Sequence, residues 1–218
     1  CKVIYGVEEY KCHSKICLIT LRRGDKLSYV TQIGTGNYNE HTNEQYTDLS
    51  LMTANEGIGL DGTVFFQNMM VGNLEGVYRH LLVAPADIKP RLLELIDGEI
   101  AKGPEGYIRI KANSMTERDV MDKLVEASQA GVQVQLILRG ICCLRPGLAA
   151  QTANIHVTSI VGRYLEHGRI YCFGRGQDAV LYIASADLMT RNLDHRVEIA
   201  CPVYDPAVRE MLLKRLHT

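Results

Sequence analysis

The sequence predicts an α/β fold of two domains, with mixed sheets flanked by helices and an imperfect internal repeat relating the two. Apolar runs typical of strands alternate with stretches of helical periodicity along the 218 residues. A strand–helix–strand series over residues 107–138 indicates a βαβ unit with parallel strands. A His-x-cation pair also opens an apolar run twice, roughly 150 positions apart, which is the pattern of a repeated unit.

The first domain is predicted to span residues 1–83. Residues 15–21 and 28–33 are strand-like, residues 22–25 form the turn between them, and residues 34–39 form a glycine-containing loop. A further apolar segment follows around Leu51, and residues 59–72 are predicted to be helical with two phenylalanines in the core.

The second domain is predicted to span residues 84–218. Leu92, Ile96 and Ile100 have helical spacing, and the segment 116–119 is predicted to cap the helix that joins strands 107–111 and 132–138. Residues 155–160, 169–173, 180–185 and 197–203 continue the sheet, and residues 206–216 form a closing helix with Pro206 in its first turn.

The composition limits the kinds of partner. Hydrophobic residues make up 46% of the chain and the net charge is −1, so we expect a packed core and an exterior that is not built for nucleic acid. A polyanion would therefore need a local basic pocket. The seven cysteines have no zinc-type spacing, which favours buried, reduced thiols.

His13 and His167 are the strongest candidates for chemistry. His13 is followed by Lys15 and His167 by Arg169, and on a strand the two members of each pair would point to one face. Two such half-sites can surround one phosphate, with one imidazole attacking phosphorus, the other protonating the leaving oxygen, and the cations neutralising charge. The alternative is that each histidine only forms a hydrogen bond near a strand end.

The loops after these pairs also carry polar groups. Asn37 follows the first pair and Asp187 the second, and we expect them to fix the tautomers of the two histidine rings. Further arginines lie at predicted loop positions on one sheet edge, where they form either a polyanion clamp or ordinary solvated charges. They are Arg139, Arg145, Arg191 and Arg196.

Tyr46 either stacks on a base or packs in the core, and spacing alone favours packing. The remaining histidines are interpreted as structural: His41, His80, His156, His195 and His217. The sequence contains neither a P-loop nor a GxGxxG motif that opens a helix after a strand.

The paired His-x-Lys/Arg motifs, with the downstream Gly-x-x-Asn, resemble the phospholipase D superfamily. Longer strings resemble the carboxy-terminal half of bacterial long-chain polyphosphate kinases: residues 33–40 (IGTGNYNE), 139–147 (RGICCLRPG), 159–167 (SIVGRYLEH) and 185–194 (SADLMTRNLD). The resemblance implies two phospholipase D-like domains, the first truncated at its amino end. Thr20 and Gly174 stand where a phospholipase would carry an aspartate, which disfavours a lipid phosphodiesterase.

The resemblance further implies reversible transfer of the terminal phosphate of ATP to polyphosphate through a phosphohistidine. His13 matches the nucleophile, and His167 matches an acid/base that also contacts the nucleotide. Tyr46 and Arg139 match the other nucleotide contacts, which replaces the packing interpretation of Tyr46. The positions expected near the phosphates are Lys15, Arg169, Arg196 and Asn37.

By the same resemblance, Mg²⁺ is the expected cofactor, with ligand positions upstream of Cys1, and ATP, ADP and inorganic polyphosphate are the expected partners. The full-length protein is expected to form homo-oligomers in the cytoplasm. Peripheral association with a membrane is an alternative location. This stretch alone is expected to be inactive. The alternatives are a phospholipase D-type phosphodiesterase and a non-catalytic polyanion-binding module.

Overall fold

A computed structural model describes residues 2–216, so the interpretation of His217 lies outside the described residues. The strands are β1 (Lys11–Cys12), β2 (Ile16–Arg23), β3 (Lys26–Gly34), β4 (Tyr46–Thr47), β5 (Ser50–Thr53), β6 (Leu82–Val83), β7 (Tyr107–Ala112), β8 (Gln133–Leu138), β9 (Ile155–Thr158), β10 (Leu165–Glu166), β11 (Arg169–Phe173), β12 (Val180–Ala184), β13 (Arg196–Val197) and β14 (Ile199–Pro202). The α-helices are α1 (Glu40–Gln45), α2 (Glu56–Val71), α3 (Ile88–Ile100), α4 (Arg118–Gln129), α5 (Thr190–Asp194) and α6 (Pro206–Arg215).

A seven-stranded mixed sheet forms the centre of the molecule, in the order β6-β14-β12-β11-β7-β8-β9. The pairs β7–β8 and β8–β9 are parallel, and the other pairs of this sheet are antiparallel. Helix α4 joins the parallel pair β7 and β8, so the predicted βαβ unit is confirmed. Helices α3 and α4 bury their apolar stripes against one face of this sheet through Leu92, Ile96 and Leu124.

The opposite face of the sheet packs against the amino-terminal part of the chain. That part contributes an antiparallel sheet in the order β2-β3-β5, together with α2. Ile33, Ile58 and Phe65 from this part share one buried cluster with Ile183 and Leu212 from the carboxy-terminal part. The two parts are therefore held together by a common apolar core, whose burial stabilises their association.

The predicted internal repeat is visible in the order of the elements. The series β2, β3, β5, α2 is matched later in the chain by β11, β12, β14, α6. The two matching helices also begin alike. The side chain of Asn55 accepts a hydrogen bond from the backbone of Ile58, and that of Asp205 accepts from Ala207 and Val208.

Several boundaries differ from the sequence prediction. Helix α2 begins at Glu56 rather than residue 59, because Asn55 caps it. It ends at Val71, and the cap that follows is Gly72, whose φ of 69° is left-handed. The predicted cap of α4 is wrong: Glu117 makes no capping hydrogen bond, since its carboxylate pairs with Lys89 at 2.7 Å. The predicted strand 197–203 is interrupted at Glu198, which lies between β13 and β14.

Strand β6 lies just before the predicted domain boundary, yet it pairs with β14 at the edge of the large sheet. Among residues 2–216, no helix combines the length and the apolar character needed to cross a bilayer.

Phe65 offers a test of the shared core. Its side chain is 3% exposed within the cluster that joins the two parts. We expect Phe65→Ala to lower the free energy of unfolding by about 3–5 kcal/mol, because the substitution removes buried area and leaves a cavity. The adjacent Phe66 is 40% exposed, so its predicted core position is wrong, and it serves as the matched control. Denaturant unfolding curves in which the two variants lose equal stability would contradict the shared core.

Candidate active site

Two short parallel strand pairs bring the half-sites together, and each pair joins one part of the chain to the other. β1 pairs with β13, and β4 pairs with β10. Directly after β1, the backbone N–H groups of His13 and Ser14 both donate to the Val197 carbonyl, at 2.9 Å each. The interaction recurs after β10, where the N–H groups of His167 and Gly168 donate to the Thr47 carbonyl. Each histidine is therefore positioned by backbone from the other part.

The prediction that each histidine lies on the same strand as its cation is wrong. His13 and Lys15 lie between β1 and β2, and His167 precedes β11, which begins at Arg169. The local backbone leaves the strand geometry because its N–H groups bond across to the other part.

A carboxylate holds each imidazole, and it too comes from the opposite part. His13 Nδ1 lies 2.9 Å from Glu198 Oε2, and His167 Nδ1 lies 2.8 Å from Asp48 Oδ1. Because a carboxylate only accepts, each Nδ1 carries the hydrogen when the ring is neutral, and Nε2 keeps its lone pair. Arg169 Nη1 also lies 3.2 Å from His167 Nδ1, but arginine only donates and its closer acceptor there is the Thr35 carbonyl at 3.0 Å.

The prediction that Asn37 and Asp187 fix the ring tautomers is wrong, because Glu198 and Asp48 occupy that role. Asp187 instead forms a bidentate ion pair with Arg169, at 3.2 and 3.0 Å. Asn37 is exposed at the surface of its loop.

A hydroxyl side chain supports each carboxylate. Thr35 Oγ1 donates to Asp48 at 2.7 Å, and Ser185 Oγ donates to Glu198 at 2.5 Å. In both cases 13 positions separate the hydroxyl residue from the carboxylate residue. Asn192 Nδ2 donates to the second oxygen of Glu198 at 2.9 Å, which completes the contacts of a fully buried carboxylate.

These hydrogen bonds control the charge of Asp48. Burial by itself would raise the pKa of this carboxyl, but the hydrogen bonds from His167 and Thr35 and the nearby Arg169 hold the pKa below its usual value. Asp48 is therefore ionised at neutral pH and can stabilise a positive charge on the His167 ring.

The cations beside the histidines are buried. Lys15 is 6% exposed, and its ammonium donates to the His13 carbonyl at 2.5 Å. Burial lowers the pKa of Lys15 to about 8, and Arg169 adds to this effect while Glu198 opposes it. Arg169 is 2% exposed and donates to the Thr35 carbonyl besides pairing with Asp187. Arg196 extends toward Glu198, with 3.8 Å between Nη1 and Oε1.

Two adjoining cavities open beside His167. The Tyr46 ring, which is half-buried, lies 4.9 Å from the imidazole and lines both cavities rather than the core. One cavity, of about 520 Å³, is lined by Gln45, Tyr46, Arg139, Arg163, Tyr164 and Glu166, among others. The other, of about 530 Å³, is lined by Tyr46, Thr47, Asp48, Lys111, Glu166 and Arg215, among others.

Arg139 is fixed at the wall of the first cavity. Its Nε and Nη2 donate to Asn113 Oδ1 at 3.0 and 2.8 Å, and its Nε also donates to the Glu166 carbonyl at 2.8 Å. Arg145 and Arg191 are exposed and form no ion pair among residues 2–216. Of the four arginines of the predicted clamp, Arg139 and Arg196 therefore lie at the site.

Sequence reasoning missed the groups that hold the histidines and arginines in place. They are Thr35, Asp48, Asn113, Ser185, Asn192 and Glu198. Four of these residues share a signal in the sequence: 13 positions separate the hydroxyl residue from the carboxylate residue both in Thr35 and Asp48 and in Ser185 and Glu198.

Most oxygens of the site's own carboxylates are engaged by hydrogen-bond donors. Asp187 and Glu198 accept at both oxygens and Asp48 accepts at Oδ1, which leaves few oxygens for a divalent cation. In the part of the chain that the structure describes, no three His, Cys, Asp or Glu residues are grouped as a metal site. The expectation of Mg²⁺ therefore continues to refer to positions outside these residues.

The lowered pKa of Lys15 gives a test of this arrangement. Between pH 8 and about 10.5, the unfolded chain binds more protons at this lysine than the folded protein, so stability contributed by Lys15 rises with pH. We expect Lys15→Met to stabilise the protein near pH 7 and to lose this advantage as the pH rises through 8. The charges that face Lys15 are Glu198, Arg169, Asp48 and Arg196.

Denaturant unfolding at pH 7, 8 and 9.5 measures the difference, with the exposed Lys26→Met as control. A Lys15→Met difference that stays constant with pH would contradict the assigned burial of the ammonium.

Comparison with known proteins matches this chain to one family. Residues 1–74 match the family model described as "Polyphosphate kinase C-terminal domain 1", and residues 81–218 match "Polyphosphate kinase C-terminal domain 2". The polyphosphate kinase of Bacillus cereus is 47% identical over 208 residues, which are 94% of this chain and 30% of that protein. The chain thus spans about a third of the length of the curated relatives it matches.

Solved structures give the same result. The polyphosphate kinase of Porphyromonas gingivalis superposes with a TM-score of 0.89 at 40% identity, covering 98% of this chain and 34% of that one. Phosphatidylserine synthase of Haemophilus influenzae matches with a TM-score of 0.60 at 9% identity, over 87% of this chain and 60% of that one, and shows the fold alone. The predicted α/β fold, with a mixed sheet flanked by helices, is confirmed. This chain belongs to the polyphosphate kinase family and corresponds to its two carboxy-terminal domains.

Proposed function

We propose that this chain carries the phosphoryl-transfer site of a polyphosphate kinase, and that the terminal phosphate of ATP passes reversibly to polyphosphate through a phosphohistidine on His13. The supporting observation is the pair of imidazoles, each held at Nδ1 by a carboxylate from the opposite part of the chain. Both rings present Nε2 for chemistry, and buried cations lie beside them.

In the first step the Nε2 lone pair of His13 attacks the terminal phosphorus of ATP. A P–N bond forms while the bond from that phosphorus to the bridging oxygen breaks, and ADP leaves with the electron pair. The His13 ring gains positive charge in this step, and the buried Glu198 stabilises it through Nδ1. In the second step a terminal oxygen of polyphosphate attacks the same phosphorus, the P–N bond breaks, and the neutral imidazole is restored.

His167 serves as the acid/base. Asp48, which is ionised, stabilises the protonated ring, so that Nε2–H can donate to the leaving oxygen and recover the proton when the reaction runs backward. Lys15 and Arg169 neutralise charge on the non-bridging oxygens, and Arg196 and Asn37 belong to the outer part of the phosphate site.

The nucleotide occupies the first of the two cavities beside His167, the one that Arg139 lines. Tyr46 lines it and offers an aromatic face to the base, and Arg139 offers a guanidinium to the phosphates. The cavity, of about 520 Å³, is within the usual size range of small-molecule sites. Polyphosphate then approaches from the side of Lys15 and Arg169.

Other expectations remain proposals for the whole protein. They are dependence on Mg²⁺ bound outside residues 2–216, a homo-oligomer, a cytoplasmic location with peripheral membrane association, and inactivity of this stretch alone.

A labelling experiment on the full-length enzyme tests the phosphohistidine. After incubation with ATP labelled at the terminal phosphate and an alkaline quench, we expect acid-labile, alkali-stable label on the peptide that contains His13. His13→Ala should abolish both the label and polymer synthesis, because no other group supplies the attacking nitrogen. His167→Ala should slow transfer by about 100-fold or more, the usual contribution of a general acid/base.

His156→Ala is the matched control, since His156 is an exposed histidine on β9. Polymer formed by a folded His13→Ala protein would reject the nucleophile assignment. Release of an alcohol from a phosphodiester without ATP would favour the phosphodiesterase alternative, and binding of polyphosphate without turnover would favour the binding module.

Glu198 gives a second test of the mechanism. Glu198→Gln keeps the size of the side chain and an acceptor for Asn192, but removes the charge that stabilises the His13 ring. We expect the rate of His13 labelling to fall about 100-fold or more, because a catalytic histidine loses much of its activity when its carboxylate partner becomes an amide. Rapid-quench labelling measures this rate, with the exposed Glu210→Gln as control. An unchanged rate would contradict the assigned role of Glu198.

A further inference from the structure

Asn113 connects two arginines of the site and is not among the residues that sequence reasoning selected. It follows β7 directly, and it is only 5% exposed. Its neighbours on either side are Arg139, at the wall of the nucleotide cavity, and Asp187, which holds Arg169.

The amide of Asn113 has a single orientation that satisfies both neighbours. Its Nδ2 donates to Asp187 at 3.0 and 3.3 Å, and its backbone N–H donates to the same carboxylate at 2.8 Å. Its Oδ1 accepts from Arg139 Nε and Nη2 at 3.0 and 2.8 Å. A carboxylate only accepts and a guanidinium only donates, so the reversed amide would lose every one of these side-chain hydrogen bonds.

This arrangement gives the two arginines different electrostatic settings. Arg169 forms a bidentate ion pair with the Asp187 carboxylate. In the part of the chain that the structure describes, Arg139 donates hydrogen bonds only to neutral acceptors, the Asn113 amide oxygen and the Glu166 carbonyl. Its orientation is therefore fixed while its positive charge remains available to an anion in the cavity.

We propose that Asn113 is a positioning residue for nucleotide binding: its neutral amide aims the Arg139 guanidinium at the phosphates of the nucleotide without neutralising it. The inference rests on the proposed function, in which Arg139 contacts ATP. Two hydrogen bonds at the Nε and Nη2 edge restrict the rotation of the guanidinium. The Arg139 side chain therefore loses less conformational entropy when the nucleotide binds.

The test compares two substitutions in the full-length enzyme. Asn113→Leu has similar size but no hydrogen-bonding groups, and we expect the KM for ATP to rise about tenfold, as for loss of a hydrogen bond to a charged group. Asn113→Asp keeps an acceptor for Arg139, but its carboxylate neutralises the Arg139 charge and repels Asp187. We expect a comparable rise in the KM for ATP. The kcat at saturating ATP should change less than KM in both variants.

A double-mutant cycle separates positioning from stability. In an Arg139→Ala background, Asn113→Leu should raise the KM for ATP no further, because the group that it positions is gone. Asn154→Ala is the matched control: Asn154 Nδ2 donates to the Ser128 carbonyl at 2.8 Å, outside the site. Its KM for ATP should equal that of the unmodified enzyme.

Three results would overturn the proposal: an unchanged KM for ATP in folded Asn113→Leu, an Asn113→Asp variant that binds ATP as tightly as the unmodified enzyme, or effects of Asn113→Leu and Arg139→Ala that simply add. If Asn113→Leu does not fold, the Asp variant and its cycle with Arg139→Ala decide the question. Failure of the proposed function is distinguishable, because the unmodified enzyme would then show no ATP-dependent transfer at all.

Discussion

The site depends on the hydrogen bonds that join each histidine to a carboxylate from the other part of the chain. His13 is held by Glu198, and His167 by Asp48. Because both links cross between the two parts, neither part contains a complete half-site. The imidazoles are therefore oriented only when the two parts are packed on their shared apolar core, so core stability and chemistry are coupled.

The buried charged side chains around these two histidine–carboxylate pairs have hydrogen-bonding or oppositely charged partners. Glu198 is fully buried and satisfied by His13, Ser185 and Asn192, while Asp187 satisfies Arg169. An unpaired charge at such a depth would cost several kcal/mol. Lys15 differs from these groups, since burial lowers the pKa of its ammonium to about 8, and an arriving phosphate would restore its preference for the charged form.

Much of the fold was predictable from local pattern. Apolar runs and helical spacing placed β7, α4 and β8 correctly, and the recurrence of the His-x-cation pair indicated the repeat. The errors fell where side chains serve tertiary contacts instead of local ones. Glu117 pairs with Lys89 rather than capping α4, and the strand expected at 197–203 breaks so that Glu198 enters the site.

The sequence by itself determined the fold class, the repeat, and the candidate histidines and cations, because these follow from periodicity and from residue types that few other roles require. Only the tertiary structure decided which acid holds which imidazole. Asn37 and Asp187 are nearer along the chain, but the strand pairs β1–β13 and β4–β10 bring Glu198 and Asp48 into contact instead. Hydrogen bonds act over about 3 Å in space, and separation along the sequence does not fix that distance.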